Sequence, residues 1–103
     1  MAEPIRIRAQ IKGDTTDVKV LMNHPMETGQ LRDPKGQLIP AHFIQTVTVT
    51  LNGKTVLETD LSQGVSKNPF LGFRIKGAKA GDKLIVAWVD NLGGQNSETA
   101  AIV

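Results

Sequence analysis

Residues 42–59 constrain the chain to a β-hairpin more tightly than any other stretch. With Ile44 set aside, Phe43, Gln45, Val47, Val49 and Leu51 fall on one face, and Thr46, Thr48 and Thr50 fall on the other. Aromatic and β-branched side chains with a period of two suit a pleated, half-buried surface. Asn52-Gly53 follows at once. This dipeptide tolerates positive φ at both central positions of a type I′ turn, whose twist matches that of paired strands. The returning strand is Lys54–Thr59, with Val56 expected inward and Leu57 as the alternative.

The rest of the chain repeats the pattern. Residues 4–12 alternate strictly, with Ile5, Ile7, Ala9 and Ile11 opposite Arg6, Arg8, Gln10 and Lys12. Gly13-Asp14 signals a turn, and Asp17–Met22 reads as a strand with Val18, Val20 and Met22 in register. Further strands are expected over Phe70–Lys76, with Leu71, Phe73 and Ile75 inward, and over Glu98–Val103. Lys83–Asp90 is apolar on both faces, the mark of a central strand or of one half-covered by another chain. No segment carries a 3.6-residue repeat behind a capping residue. Seven short strands in 103 residues predict an all-β, immunoglobulin-like antiparallel β-sandwich forming one domain over residues 1–103. The cysteine pair that braces antibody domains is missing, so Trp88 is expected in the core, held by packing alone.

The connection from His24 to Ile44 is the exception. Loops this long in small domains are functional or disordered. Met26, Leu38, Ile39, Phe43 and Ile44 make it too apolar for a disordered linker. It also holds both histidines of the chain. His24 and Glu27, three apart, can converge with His42 on a metal. Alternatively, the same residues hydrogen-bond the loop to the sandwich and orient it. Nothing resembling a histidine–glutamate metalloprotease helix is present, and no serine lies in a nucleophile elbow.

Composition removes several other classes. There is no cysteine, hence no thiolate nucleophile, disulfide or zinc–thiolate site. Twelve basic against ten acidic residues leave a net charge of only +2, a weak basis for binding nucleic acid or a membrane. Gly93-Gly94 has neither a following helix nor a lysine–hydroxyl pair and reads as a turn rather than a phosphate loop. Lys67, Arg74, Lys76, Lys79 and Lys83 read as a solvated face or a contact for an acidic partner. No apolar run of about 18 residues is present to span a bilayer. The N-terminus lacks an apolar signal segment, so export would depend on another chain or on a signal since removed. An interaction protein fits these residues best, since the doubly apolar strand and apolar loop exceed what one small core uses.

Six motifs occur in order: His24-Pro25-Met26-Glu27-Thr28-Gly29, Ile39-Pro40-Ala41-His42-Phe43-Ile44, Asn52-Gly53-Lys54, Val65-Ser66-Lys67-Asn68-Pro69-Phe70, Lys79-Ala80-Gly81-Asp82 and Trp88-Val89-Asp90-Asn91. Together they resemble the SoxZ family, the small subunits of the thiosulfate-oxidising Sox system, over nearly the whole chain. The resemblance implies a non-catalytic, cofactor-free sandwich that pairs with SoxY. It implies that a cysteine on SoxY's flexible C-terminal arm carries the sulfur, and that other Sox enzymes dock transiently. It also implies a periplasmic location reached by co-export with the signal-bearing partner. From the residues themselves, partner contacts are expected at His24, Pro25, Met26, Glu27, Ile39, His42 and Phe43 of the long loop. Ser66, Asn68, Phe70 and Trp88 complete that set. Charged replacements of Phe43 or Met26 are expected to weaken pairing or docking. With its partner face bare, the isolated chain is open to self-association. Two other readings stand beside this one: a sandwich-type binding module without a sulfur role, and a small metal-dependent enzyme on His24, Glu27 and His42.

Overall fold

A computed structural model describes residues 5–62 and 65–103. Pro4, the expected start of the first strand, and Gln63-Gly64 of the irregular stretch after the hairpin lie outside the described residues. Seven strands form in chain order: β1 (Arg6–Lys12), β2 (Thr15–Leu21), β3 (Ile44–Leu51), β4 (Lys54–Asp60), β5 (Phe70–Lys76), β6 (Lys83–Asp90) and β7 (Gln95–Ala101). They pair antiparallel in two sheets, β1-β2-β5 and β4-β3-β6-β7. The immunoglobulin-like sandwich expected from the alternation is what forms.

The core lies where the inward parities of the two sheets meet. Val18, Val20 and Met22 from one sheet face Val47, Val49, Leu84 and Val86 from the other, all essentially inaccessible to water. Trp88 is buried beside them, and its indole N–H has no hydrogen-bond partner among the described residues, so packing alone holds it. The C-terminal residues close the open side of β1. Val103 accepts a hydrogen bond from the Ile11 amide at 2.8 Å and donates one to the Ala9 carbonyl at 3.1 Å.

Three details depart from simple alternation. Asn52 (φ 51°) and Gly53 (φ 85°) form the expected turn, but the hairpin register then slips. Thr50 opposes Thr55 while Val49 opposes Leu57, which leaves Val56 as an extra residue. This bulge turns Val56 outward, 39% exposed, and brings Leu57 against the core. A second slip lies between β3 and β6, where Ile44 pairs with Asp90 and Thr46 with Val89. Gln45 is therefore exposed rather than on the inner face, and Ile44 is fully buried. Ile11 keeps the inward parity of β1 but is 37% exposed, on an edge strand near its end.

The two bulges matter for function because the second one re-aims the chain entering β3. Leu57→Ala should cost about 1–3 kcal/mol in urea denaturation, whereas Val56→Thr should stay within about 0.5 kcal/mol. The reverse order would restore the unslipped hairpin.

Candidate functional site

The long connection is not a loose loop. Glu27 and His42 bridge through paired backbone hydrogen bonds of 2.6 and 2.9 Å. Farther out, Ile39 donates to the Leu31 carbonyl at 2.8 Å, and Arg32 bridges Leu38. The tip closes on Asp33, whose carboxylate accepts the amides of Lys35 and Gln37, both at 2.9 Å. Residues 27–42 thus make a narrow hairpin-like arm. Its outer part is exposed, with Leu31 at 57% and Leu38 at 54%.

The base of the arm is tied to β6 by one buried carboxylate. Alternation along β6 points Leu84, Val86 and Trp88 into the core and sends Asp90 inward with them. An inward carboxylate needs donors, and four are supplied. Oδ1 accepts the backbone amides of Leu92 (3.0 Å) and Gly94 (2.7 Å). Oδ2 lies 3.0 Å from His24 Nε2 and 2.7 Å from His42 Nε2. Burial pushes the Asp90 carboxyl up. The hydrogen bonds from His24, His42 and the Gly94 and Leu92 amides outweigh burial and hold it at about 2. It is therefore a carboxylate that can only accept, and both imidazole Nε2 atoms must carry hydrogen.

His24 is fixed from its other side as well. The Met26 amide donates to His24 Nδ1 at 3.0 Å. With Nδ1 accepting and Nε2 donating, His24 is a neutral imidazole in a single tautomer. Its ring packs edge-on against Trp88 (centroids 5.1 Å apart, 90°) and against His42 (4.5 Å, 68°). Asn68, with φ 53°, clamps the same residue: its side chain accepts the His24 amide at 3.1 Å and its own amide donates to the His24 carbonyl at 2.9 Å. Asn91 holds the other leg of the arm. It accepts the Phe43 amide at 2.8 Å and donates to the Ala41 carbonyl at 2.9 Å through its side chain. Gly94 has no room for a side chain: a Cβ there would stand 2.7 Å from an Asp90 carboxylate oxygen.

This geometry sorts the residues singled out by sequence. His24, His42 and Trp88 come together, joined by Asn68 from the segment before β5. Glu27 meets His42 only through the backbone, and the third group of the cluster is Asp90 instead. His24, Met26 and Trp88 are buried within the chain, so they act on a partner through the surface they support. Met26 closes the base of the arm, its sulfur accepting the Ile44 amide at 3.3 Å. Ile39, His42 and Phe43 are half-buried; Pro25, Ser66 and Asn68 are exposed around the site. Phe70 stands apart, 63% exposed on the outer face of the three-stranded sheet.

An open cleft of about 700 Å³ lies over the cluster, lined by His42, Lys67, Asn68, Trp88 and Gln95 among others. His42 is the histidine that reaches it, with a side chain 34% exposed and no hydrogen bond to Nδ1 among the described residues. The ligand atoms of His24, His42 and Asp90 lie within 4.8 Å of one another, close enough to invite a metal. The hydrogen bonds oppose it. Metal on His24 Nε2 would force the proton to Nδ1, against the Met26 N–H already directed there. The arrangement is a closed hydrogen-bond knot that fixes the arm, which agrees with the bracing role and disfavours the metal one.

Two outcomes follow for stability. Asp90→Asn turns an NH₂ toward existing donors and should cost about 3 kcal/mol in chemical denaturation. Because the folded-state value lies below the ordinary 3.8, the carboxylate's contribution is complete above about pH 4 and is lost as pH falls toward 2. At about 1.4 kcal/mol per unit, that loss is ~2 kcal/mol, and Asp90→Asn should not show it.

The chain matches the family model described as "Sulphur oxidation protein SoxZ" over residues 5–101. No curated protein matches it. Among solved structures it is similar to a hypothetical protein from Pyrococcus horikoshii OT3, at 18% identity and TM-score 0.67, covering 99% of this chain and 89% of that one. It is also similar to a superoxide reductase (neelaredoxin) from Ignicoccus hospitalis, at 18% identity and TM-score 0.65, covering 98% and 79%. The reduced superoxide reductase (neelaredoxin) from Archaeoglobus fulgidus aligns at 20% identity and TM-score 0.63, covering 95% and 85%. At these identities the structural likeness is one of fold.

Proposed function

The chain belongs to the SoxZ family of sulphur oxidation proteins, and from that premise we propose that it is the non-catalytic platform of a sulfur-carrier complex. In this reading it pairs with a SoxY subunit, whose C-terminal cysteine holds the sulfur intermediates of thiosulfate oxidation. The pair works in the periplasm, where other Sox enzymes visit it in turn, and this chain reaches that compartment by export with its partner. The absence of cysteine supports this division of labour: a nucleophilic sulfur carrier must be a thiolate, and this chain supplies none.

Family membership carries the reading, and the surface of the four-stranded sheet fits it. The outward parity of β6 is Ile85, Ala87 and Val89, flanked by Thr46, Thr48 and Thr50 on β3 and by Ser97 and Thr99 on β7. Ile85 is 37% and Val89 43% exposed. Small, uncharged side chains on a flat sheet let a second sheet approach closely without stranding a charge. We assign the pairing face to this strip. The arm over residues 27–42, with Leu31 and Leu38 at its surface, and the cleft beside His42 then shape where the partner's cysteine arm rests or which enzyme docks.

Co-expression with a SoxY chain should yield a stable one-to-one complex. Val89→Lys should weaken it by about tenfold or more, as charging a buried interface does, while the isolated variant keeps its melting temperature within a few degrees. A chain that stays monomeric in the presence of SoxY would overturn the pairing. Metal analysis of the purified protein should find no stoichiometric zinc, copper or iron; a full equivalent would revive a metalloenzyme on His24, His42 and Asp90.

A further inference from the structure

The outer face of the three-stranded sheet has a character that the pairing strip lacks. The antiparallel registers set its side chains in rows: Arg6, Leu21 and Phe70; Arg8, Lys19 and Gly72; Gln10, Asp17 and Arg74; Lys12, Thr15 and Lys76. Six of the chain's twelve basic residues stand on this face with only one of its ten acidic ones. That single acid, Asp17, is shared between Arg74 at 2.9 Å and Lys12 at 3.4 Å. Arg6, Arg8, Lys19 and Lys76 have no ion pair among the described residues. Since the whole chain carries only +2, the patch is a local concentration and not a general basicity.

At the end nearest Arg6, the face has an aromatic anchor. Phe70 is 63% exposed, and its ring edge lies 3.5 Å from where a Gly72 Cβ would be. The missing side chain at Gly72 lets the ring lie across the sheet. A shallow cleft of about 330 Å³ runs between Phe70, Leu21, Lys19 and the two arginines. Leaving a phenylalanine in water among unpaired cations gives folding nothing, while arginines around an apolar anchor are the composition of a protein contact.

We infer that this face docks an acidic protein surface, with Arg6, Arg8 and Lys19 meeting its carboxylates and Phe70 seated in an apolar notch among them. Three strands of seven residues span only about 14 by 23 Å, well short of the ~800 Å² per partner of a stable interface. The contact is therefore a brief one, steered by charge and weakened by salt. It lies on the sheet opposite the pairing strip, so it stands or falls independently of the pairing with SoxY.

The isotope-labelled full chain can be titrated with a random glutamate–tyrosine copolymer, poly-L-glutamate, duplex DNA and phosphatidylserine vesicles, with amide shifts mapping each site. The copolymer should bind more tightly than poly-L-glutamate, shift residues of β1, β2 and β5, and lose affinity on raising salt from about 20 to about 150 mM. Arg8→Glu with Lys19→Glu should lower its affinity by about tenfold or more, and Phe70→Ala by about threefold. Both changes lie on exposed side chains, and retained amide spectra verify folding. DNA or vesicles binding as tightly as the copolymer, shifts on the other sheet, no binding, or unaltered affinity in either variant would overturn the inference.

Discussion

Everything at the functional end of this sandwich depends on a carboxylate with no water to lean on. Asp90 sits on the buried parity of β6, where an unpaired charge would be costly, and four N–H groups from three parts of the chain converge on it. Two come from the turn that follows β6, one from the residue that opens the arm and one from the residue that closes it. A single acceptor thereby sets the turn after β6, the base of the arm and the tautomers of both histidines together. The remaining clamps, Asn68 on His24 and Asn91 on Phe43 and Ala41, hold the same legs from outside.

That rigidity separates three surfaces of different chemistry. The end of the sandwich offers a polar cleft beside His42 and an ordered arm. The four-stranded sheet presents an uncharged strip of threonines and small aliphatics. The three-stranded sheet presents cations around an exposed phenylalanine. A platform serving one tight partner and several transient ones needs faces that do not compete, and the β-sandwich provides them by turning its two sheets in opposite directions. The fold itself carries no activity; superoxide reductases share it at identities near 20%.

Much of this is legible in the residues. Period-two alternation and Asn52-Gly53 determine strands and the main hairpin because side-chain direction in a strand is a local property. The bulges are not legible. Inserting Val56 or Gln45 into a ladder is decided by how two strands pack on the other sheet, and alternation alone misplaces Val56, Gln45 and Ile44. The long connection is readable as ordered from its apolar content, though not as a paired arm, since its bridges join residues far apart in sequence. Glu27 looks like the natural third member of a histidine cluster because it is near in sequence. Asp90 is the better candidate. Its parity with Leu84, Val86 and Trp88 already sends a carboxylate into the core, and two histidines without partners are there to meet it.

The central claim is that His24 and His42 are donors to Asp90 and not ligands awaiting a metal. Nitrogen-15 spectra of the imidazole rings near neutral pH test it without altering the protein. The account predicts His24 with a protonated Nε2 and an unprotonated Nδ1, His42 with a protonated Nε2, and neither pattern changed by added zinc. A His24 ring protonated at Nδ1, or one whose Nε2 signal moves to a metal-bound position with one equivalent of zinc, would contradict it.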